Sequence, residues 1–394
     1  MALSMPDILK VMVDKDAADV YLTVDLPAMY RIQGVTQPIG DKPFTNEELE
    51  ALANDIMKDK QRVEFAEKLE MNLALYYPEL GRFRVNIFRQ RGNVGFVIRQ
   101  IKVEIVPLDK LGLPPIVKDI AMTKRGLVLF VGATGSGKST SLAAMIDHRN
   151  SAAPGHIITV EDPVEFVHRH KKCVVTQREV GFDTLSFQAA LKNTLRQAPD
   201  VILIGEIRDT ETMKAAVEFA ETGHLCLGTL HANSANQAIE RIMNFFPMEQ
   251  HEQIYLQLSM NLRAIISQRL IRGVDGKRVA ALEIMMDTPR VKDLIKKGEV
   301  DSIKEAMEQG IQEGCQTFDY VLFTLYKEGK ISLDQALANA DSANNLRLRI
   351  KLAGLKVDDG PATEPAPAGA IKTEPEKPKG FSIQGLPPGA PLRK

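Results

Sequence analysis

The chain has 394 residues, 44% of them hydrophobic and 26% charged, which is the make-up of a globular protein with room for two or three domains. Its net charge of −1 removes the bulk basic signal of a nucleic-acid or anionic-lipid binder, and no apolar run approaches the roughly 18–20 residues that span a bilayer. The acidic, weakly apolar N-terminus is not expected to be a signal peptide, and the scattered Cys173, Cys226 and Cys315 suit a reducing compartment and cannot form a four-cysteine zinc site.

Residues 1–105 read as a small α+β domain. Helical spacing covers 3–15, and short strands are expected at 19–24 and 30–32. Thr45-Asn-Glu-Glu48 is a capping box opening a helix to about residue 59. A segment at 71–77 precedes a hairpin with strands at 82–89 and 94–101 around Arg91-Gly-Asn93. Period 2 puts Phe83, Val85 and Ile87 on one face and Arg82, Arg84 and Asn86 on the other, with Arg89 and Arg99 nearby. Either the arginines form a solvated basic face, or some reach a nucleotide held by a neighbouring subunit through their planar forks.

Pro107 and Pro114-Pro115 mark a linker at about 106–114. In 115–286, strand candidates at 127–131, 156–160, 200–204 and 225–230 alternate with helices at 140–150, 185–197, 209–221 and 234–244. That alternation predicts an α/β domain with a largely parallel sheet. Residues 249–272 read as one long amphipathic stretch, and Asp275-Gly276 as a hairpin signal before a strand at 279–285. Residues 287–355 read as four or five short helices. From 356 to the C-terminus, with eight prolines between Pro361 and Pro391, the composition predicts a disordered tail carrying one candidate docking peptide at Phe381.

The chemistry concentrates at the ends of the expected parallel strands, where ligands bind in open α/β sheets. After the strand at 127–131 come Gly132, Ala133, Thr134, Gly135, Ser136, Gly137, Lys138, Ser139 and Thr140, matching G-x-x-x-x-G-K-[ST] between a strand and a helix. The glycines bring backbone N–H groups against phosphate oxygens, and the helix N-terminus faces the same oxygens. Lys138 can reach β- and γ-phosphates, and the Ser139 hydroxyl can ligate Mg²⁺. The next strand ends in Glu161-Asp162-Pro163. The third, Val-Ile-Leu-Ile-Gly-Glu206, is Walker-B-like, and its carboxylate can hold Mg²⁺ through waters. His224 and His231 bracket the fourth. Each acid or histidine alone could be a cap or a structural side chain, but four stations in order after a P-loop form a pattern.

GATGSGKST, VEDPVEF, PDVILIGEIRD and TGHLCLGTLHA resemble the Walker A, Asp box, Walker B and His box of secretion and pilus ATPases, above all the type IV pilus retraction (twitching motility) ATPases of the PilT/PilU family. The resemblance covers residues 1 to about 355. It implies a PAS-like N-terminal domain, a RecA-like ATPase domain and a cytoplasmic homohexamer bound peripherally at the inner face of the cytoplasmic membrane. Partners would be an inner-membrane platform protein and a paralogous retraction ATPase. The same resemblance makes Glu161 the carboxylate that polarises water, Glu206 the Walker-B acid, and His224 and His231 sensors of the γ-phosphate. Arginines of GRFRVNIFRQRG would complete an ATP–Mg²⁺ site between the domains. Where PilT-type motors carry AIRNLIRE, Arg290-Val-Lys-Asp-Leu-Ile-Lys-Lys297 stands here, with Lys292, Asp293 and Lys297 at the Arg, Asn and Glu positions. That departure points to the PilU-like, accessory kind. The rivals are an assembly or type II secretion ATPase, an ATP-binding scaffold subunit, and a DNA translocase.

Overall fold

The computed structural model describes residues 4–32, 34–101 and 104–355. Those through Leu355 pack as one compact unit built on two sheets. The predicted tail and its Phe381 peptide lie outside the described residues.

The first sheet follows α1 (Met5–Asp14), whose Ser4 and Asp7 close a capping box. Its strands are β1 (Ala17–Leu22), β2 (Met29–Ile32), β3 (Val35–Pro38), β4 (Glu70–Tyr77), β5 (Gly81–Gln90) and β6 (Asn93–Ile101), all antiparallel in the order β3-β2-β1-β6-β5-β4. Phe83, Val85 and Ile87 are fully buried in the same core as α1, so the period-2 reading of β5 holds and Arg82 and Arg84 lie on the opposite face. Thr45 caps α2 (Asn46–Ile56) as expected. This helix stops earlier than the sequence suggested. A second helix, α3 (Asp59–Lys68), follows and ends where Leu69 turns left-handed.

After α4 (Ile116–Ala121) come β7 (Gly126–Val131), α5 (Lys138–Ala152), β8 (Gly155–Glu161), β9 (Cys173–Glu179), α6 (Phe187–Thr194), β10 (Val201–Ile204), α7 (Thr210–Glu221), β11 (Leu225–Leu230), α8 (Ala235–Met243) and α9 (His251–Asn261). The second sheet closes with β12 (Leu262–Arg272) and β13 (Arg278–Met286) in the order β13-β12-β7-β11-β10-β8-β9, parallel except for β13. Both faces are covered. Leu127, Leu129 and Val131 pack under α6–α11, while Val128 and Phe130 pack under α4 and α5. Burial on both faces is why β7 shows no polar alternation.

Two expectations fail here. Residues 249–272 are not one amphipathic element: they break at Asn261 into a helix and a strand. β9 was not expected at all. The C-terminal helices are α10 (Pro289–Lys297), α11 (Ile303–Gln309), α12 (Phe318–Lys327), α13 (Leu333–Ala338) and α14 (Ala343–Leu352), in line with the four or five expected. Among the described residues no helix is long and apolar enough to cross a membrane.

Candidate nucleotide site

The carboxyl ends of β7, β8, β10 and β11 meet over one cavity of about 570 Å³. Thr134 to Thr140 form one wall. Glu161, Asp162, Glu206 and His231 stand opposite, and Leu142, Ile146, Phe166, His168, Leu270 and Arg278 complete the lining. Strand direction explains this convergence, since parallel strands deliver all their following loops to one edge of the sheet.

The loop is held open by contacts from β12. Gly137 opens α5 with φ +87°, and a Cβ there would lie 2.7 Å from Gln268 Nε2. Gln268 is buried; its Nε2 donates to Ser136 O at 2.8 Å, and its Oε1 accepts from Ser141 Oγ at 2.8 Å. Lys138 Nζ donates to the carbonyls of Gly132 (2.6 Å) and Ala133 (3.0 Å), and burial pulls its pKa down against the opposing pull of Glu206. The Ser136 Oγ is buried within the loop, close to Gly132, and has no hydrogen-bond partner.

The acids stand close together because Gly205 lets β10 approach β8. A Cβ there would fall 2.9 Å from Glu161 Cα. Burial raises the Glu161 pKa, against hydrogen bonds from Thr159 Oγ1 (2.6 Å) and Gln177 Nε2 (3.3 Å). Glu206 Oε1 lies 3.4 Å from His231 Nε2. Arg208 spans the two stations, 3.3 Å from Asp162 Oδ2 and 4.0 Å from Glu206 Oε2. Thr229, also in the lining, donates its hydroxyl to Gly205 O. Asp209, which follows in the sequence, is a helix cap: its side chain accepts from Thr212 N at 2.8 Å.

Some of the expected site residues lie elsewhere. His224 precedes β11 and therefore sits at the opposite edge of the sheet, bonded to Thr222 Oγ1 (3.0 Å) and Phe219 O (3.3 Å). Of the two histidines, His231 lines the cavity of this chain and His224 does not. Arg99 is tied to Asp19 at 2.8 Å, and Arg89 to Glu50 and the Phe65 ring, so both brace the first sheet. Arg82 reaches across to Glu179 at 3.4 Å, and Arg84 acts on the same carboxylate electrostatically. None of the four lines the cavity of this chain. The sequence reading passed over Gln177, Gln268 and Arg278, which carry no motif of their own, and gave no role to Arg208 within PDVILIGEIRD.

A P-loop on the carboxyl edge of a RecA-like sheet, faced by two carboxylates, defines a nucleotide-binding ATPase. By similarity the chain belongs to the type II/IV secretion system protein family, which it matches over residues 13–335. It is 53% identical to the type IV pilus ATPase PilU of Pseudomonas aeruginosa, over 88% of this chain and 91% of that one. It is 43% identical to the type IV pilus retraction ATPase PilT of the same organism, over 87% of this chain and all of that one. A crystal structure of the pilus retraction motor PilT with bound ADP superposes with a TM-score of 0.81 at 41% identity, covering 86% of this chain and 98% of that one.

Proposed function

We infer that the protein is a Mg²⁺-dependent ATPase that powers or assists type IV pilus retraction and hence twitching motility. The observation that carries this reading is the single cavity shared by Lys138, Glu161, Glu206 and His231, in a chain so similar to PilU and PilT.

The loop amides and Lys138 bind the triphosphate of ATP, displacing the lysine from its carbonyl partners. Glu161 takes a proton from a water as that oxygen bonds to the γ-phosphorus. The bond between the γ-phosphorus and the β,γ-bridging oxygen breaks, leaving ADP and phosphate. Burial raises the Glu161 pKa, which strengthens the carboxylate as a base, and approaching cations favour the charged form that accepts the proton. Ser139 and Glu206, the latter through waters, are the donors that fit a Mg²⁺ ion. Among the described residues no cluster of three side-chain ligands exists, as suits an ion held largely by phosphates and waters. When bound, Mg²⁺ neutralises charge developing on the β- and γ-oxygens. His231 reports the phosphate to Glu206.

Residues 1–105 and 115–286 act as two bodies joined at 106–114. On closure the Arg82 and Arg84 face of β5 supplies cations to a triphosphate, of this chain or of its neighbour in a homohexamer. Residues 287–355 and the tail 356–394 complete the subunit. The ring works in the cytoplasm against an inner-membrane platform protein, alongside a paralogous motor. A specific feature favours the accessory role. In α10 the substituted Lys292 pairs with Asp287 (2.8 Å) and Lys297 with Asp293 (2.8 Å), so these charges are bonded within their own chain.

The test is ATP turnover of purified Lys138→Ala, Glu161→Gln and Glu206→Gln proteins, each expected to lose about 10²-fold or more in kcat. Wild-type turnover in any of them removes the role given to that residue.

A further inference from the structure

The edge strand β9 carries two side chains that the functional motifs do not include. Gln177 and Glu179 are two residues apart and so share a face. Every polar group of the Gln177 amide is engaged by the last residue of β8 and the segment that follows it. Its Nε2 donates to Glu161 Oε1 (3.3 Å) and to Phe166 O (2.9 Å), and its Oε1 accepts from His168 N (2.7 Å). Glu179 holds the middle of the same segment, accepting from Val164 N at 3.2 Å through Oε2. That oxygen also faces Arg82 Nη2 of the first sheet at 3.4 Å. Just beyond, Val180 N donates to Glu161 O at 2.9 Å, and Phe182 packs into the core of the first sheet.

Glu179 is 1% exposed. A buried carboxylate facing one stretched arginine contact adds little to stability, and an apolar pair of similar volume could replace it without loss. Removing Arg82, however, leaves the buried carboxylate only the field of Arg84, with no ion-pair contact, so Glu179 responds to where Arg82 stands.

We propose that β9 transmits the position of the first sheet to the catalytic carboxylate, with Gln177 positioning Glu161 and Glu179 setting the strand through Arg82. The inference rests on Glu161 being the proton acceptor. Gln177 fixes the carboxylate rotamer and favours its charged form through an N–H bond. When the first sheet moves, Arg82 moves with it and shifts the Val164 anchor. Glu165 faces Glu161 and opposes its ionisation, while Lys138, Asp162 and Glu206 share its cavity.

The experiment is the pH dependence of kcat for the full chain with saturating Mg-ATP. Gln177→Leu removes a bond to the ionised Glu161, so the acid limb is expected to move to higher pH by about one unit. Its kcat falls about 10-fold with KM unchanged. Glu179→Gln keeps the acceptor for Val164 N and loses the Arg82 pair, with the same kcat-only loss. The double variant is expected to be no slower than Gln177→Leu, because both act through one carboxylate. If Gln177→Leu fails to fold, Gln177→Glu places a like charge beside Glu161 and must move the limb the same way. An unmoved limb, a loss in KM alone, or additive losses overturn the proposal. Failure of the underlying reading looks different: Glu161→Gln would then retain turnover, whereas an inactive Glu161→Gln with an unmoved limb removes only the role of β9.

Discussion

Glu283 lies at the centre of β13, 2% exposed, accepting from Ala235 N (2.8 Å) and Ser267 Oγ (3.3 Å). Burial pushes its pKa up from 4.5 to about 7, with Asp341 adding to the rise and Arg269 and Lys304 opposing it. The folded chain therefore keeps a proton that the unfolded chain releases. Stability from this group is complete below the ordinary carboxylate range and is lost as pH rises towards 7, a difference on the order of 3 kcal/mol. Glu283→Gln is expected to flatten that fall and to be the more stable form on the alkaline side, as read from urea midpoints at several pH values. A variant whose pH profile follows wild type would show that Glu283 is ionised throughout. The same physics acts at Glu161, where the raised pKa belongs to a carboxylate lining the cavity.

At the level of elements, the site depends on how closely β10 approaches β8 and on how β12 holds the P-loop. Gly205→Ala would place a methyl group 2.9 Å from Glu161 Cα. The strand ends would have to part, costing about 1–3 kcal/mol and about 10²-fold in turnover through misplaced carboxylates. Calorimetry and turnover on one preparation check both, and a fully active alanine variant would mean the two acids need not be adjacent. Gln268→Leu strands Ser136 O and the Ser141 hydroxyl, both otherwise bonded to the amide. About 1–3 kcal/mol of stability should go with it, along with affinity for ADP, measured by titration calorimetry. The sequence reading misplaced β12 for a definite reason. Leu262, Ile265, Ile266 and Leu270 recur at helical spacing, and only pairing with β7 on one side and β13 on the other selects the strand. β9 was missed because its exposed Val174 and its polar Thr176, Gln177, Arg178 and Glu179 read as loop, and partnership with β8 is what makes it extended.

Over the whole molecule, residues through Leu355 pack into one unit and the last helix, α14, already buries Leu346 and Ile350. A chain ending at Leu355 is therefore expected to melt at the wild-type temperature and to hydrolyse ATP at the wild-type rate. A lower melting temperature would show that the tail contributes to the fold. Among the described residues, contact between the two sheets includes Arg82 with Glu179 and Phe182 with the first core. Such a partly polar junction suits parts that move against each other during a cycle.

The sequence alone determined the four strand-end stations, because each is local: a buried strand runs directly into its polar residues, and after β7, β10 and β11 a helix starts within a few residues. It also marked which face of β5 is buried, since that follows from period 2. Only the tertiary structure decided which groups share the cavity. Gln268 reaches Ser136 across 132 residues of chain, and Arg82 reaches Glu179 across 97. Strand order and direction likewise moved His224 to the far edge and gave Arg99 a carboxylate partner in β1 and Arg89 one in α2. Those outcomes depend on which strands become neighbours, and that is settled by burying both faces of one sheet at once, a property of the whole chain and of no single segment.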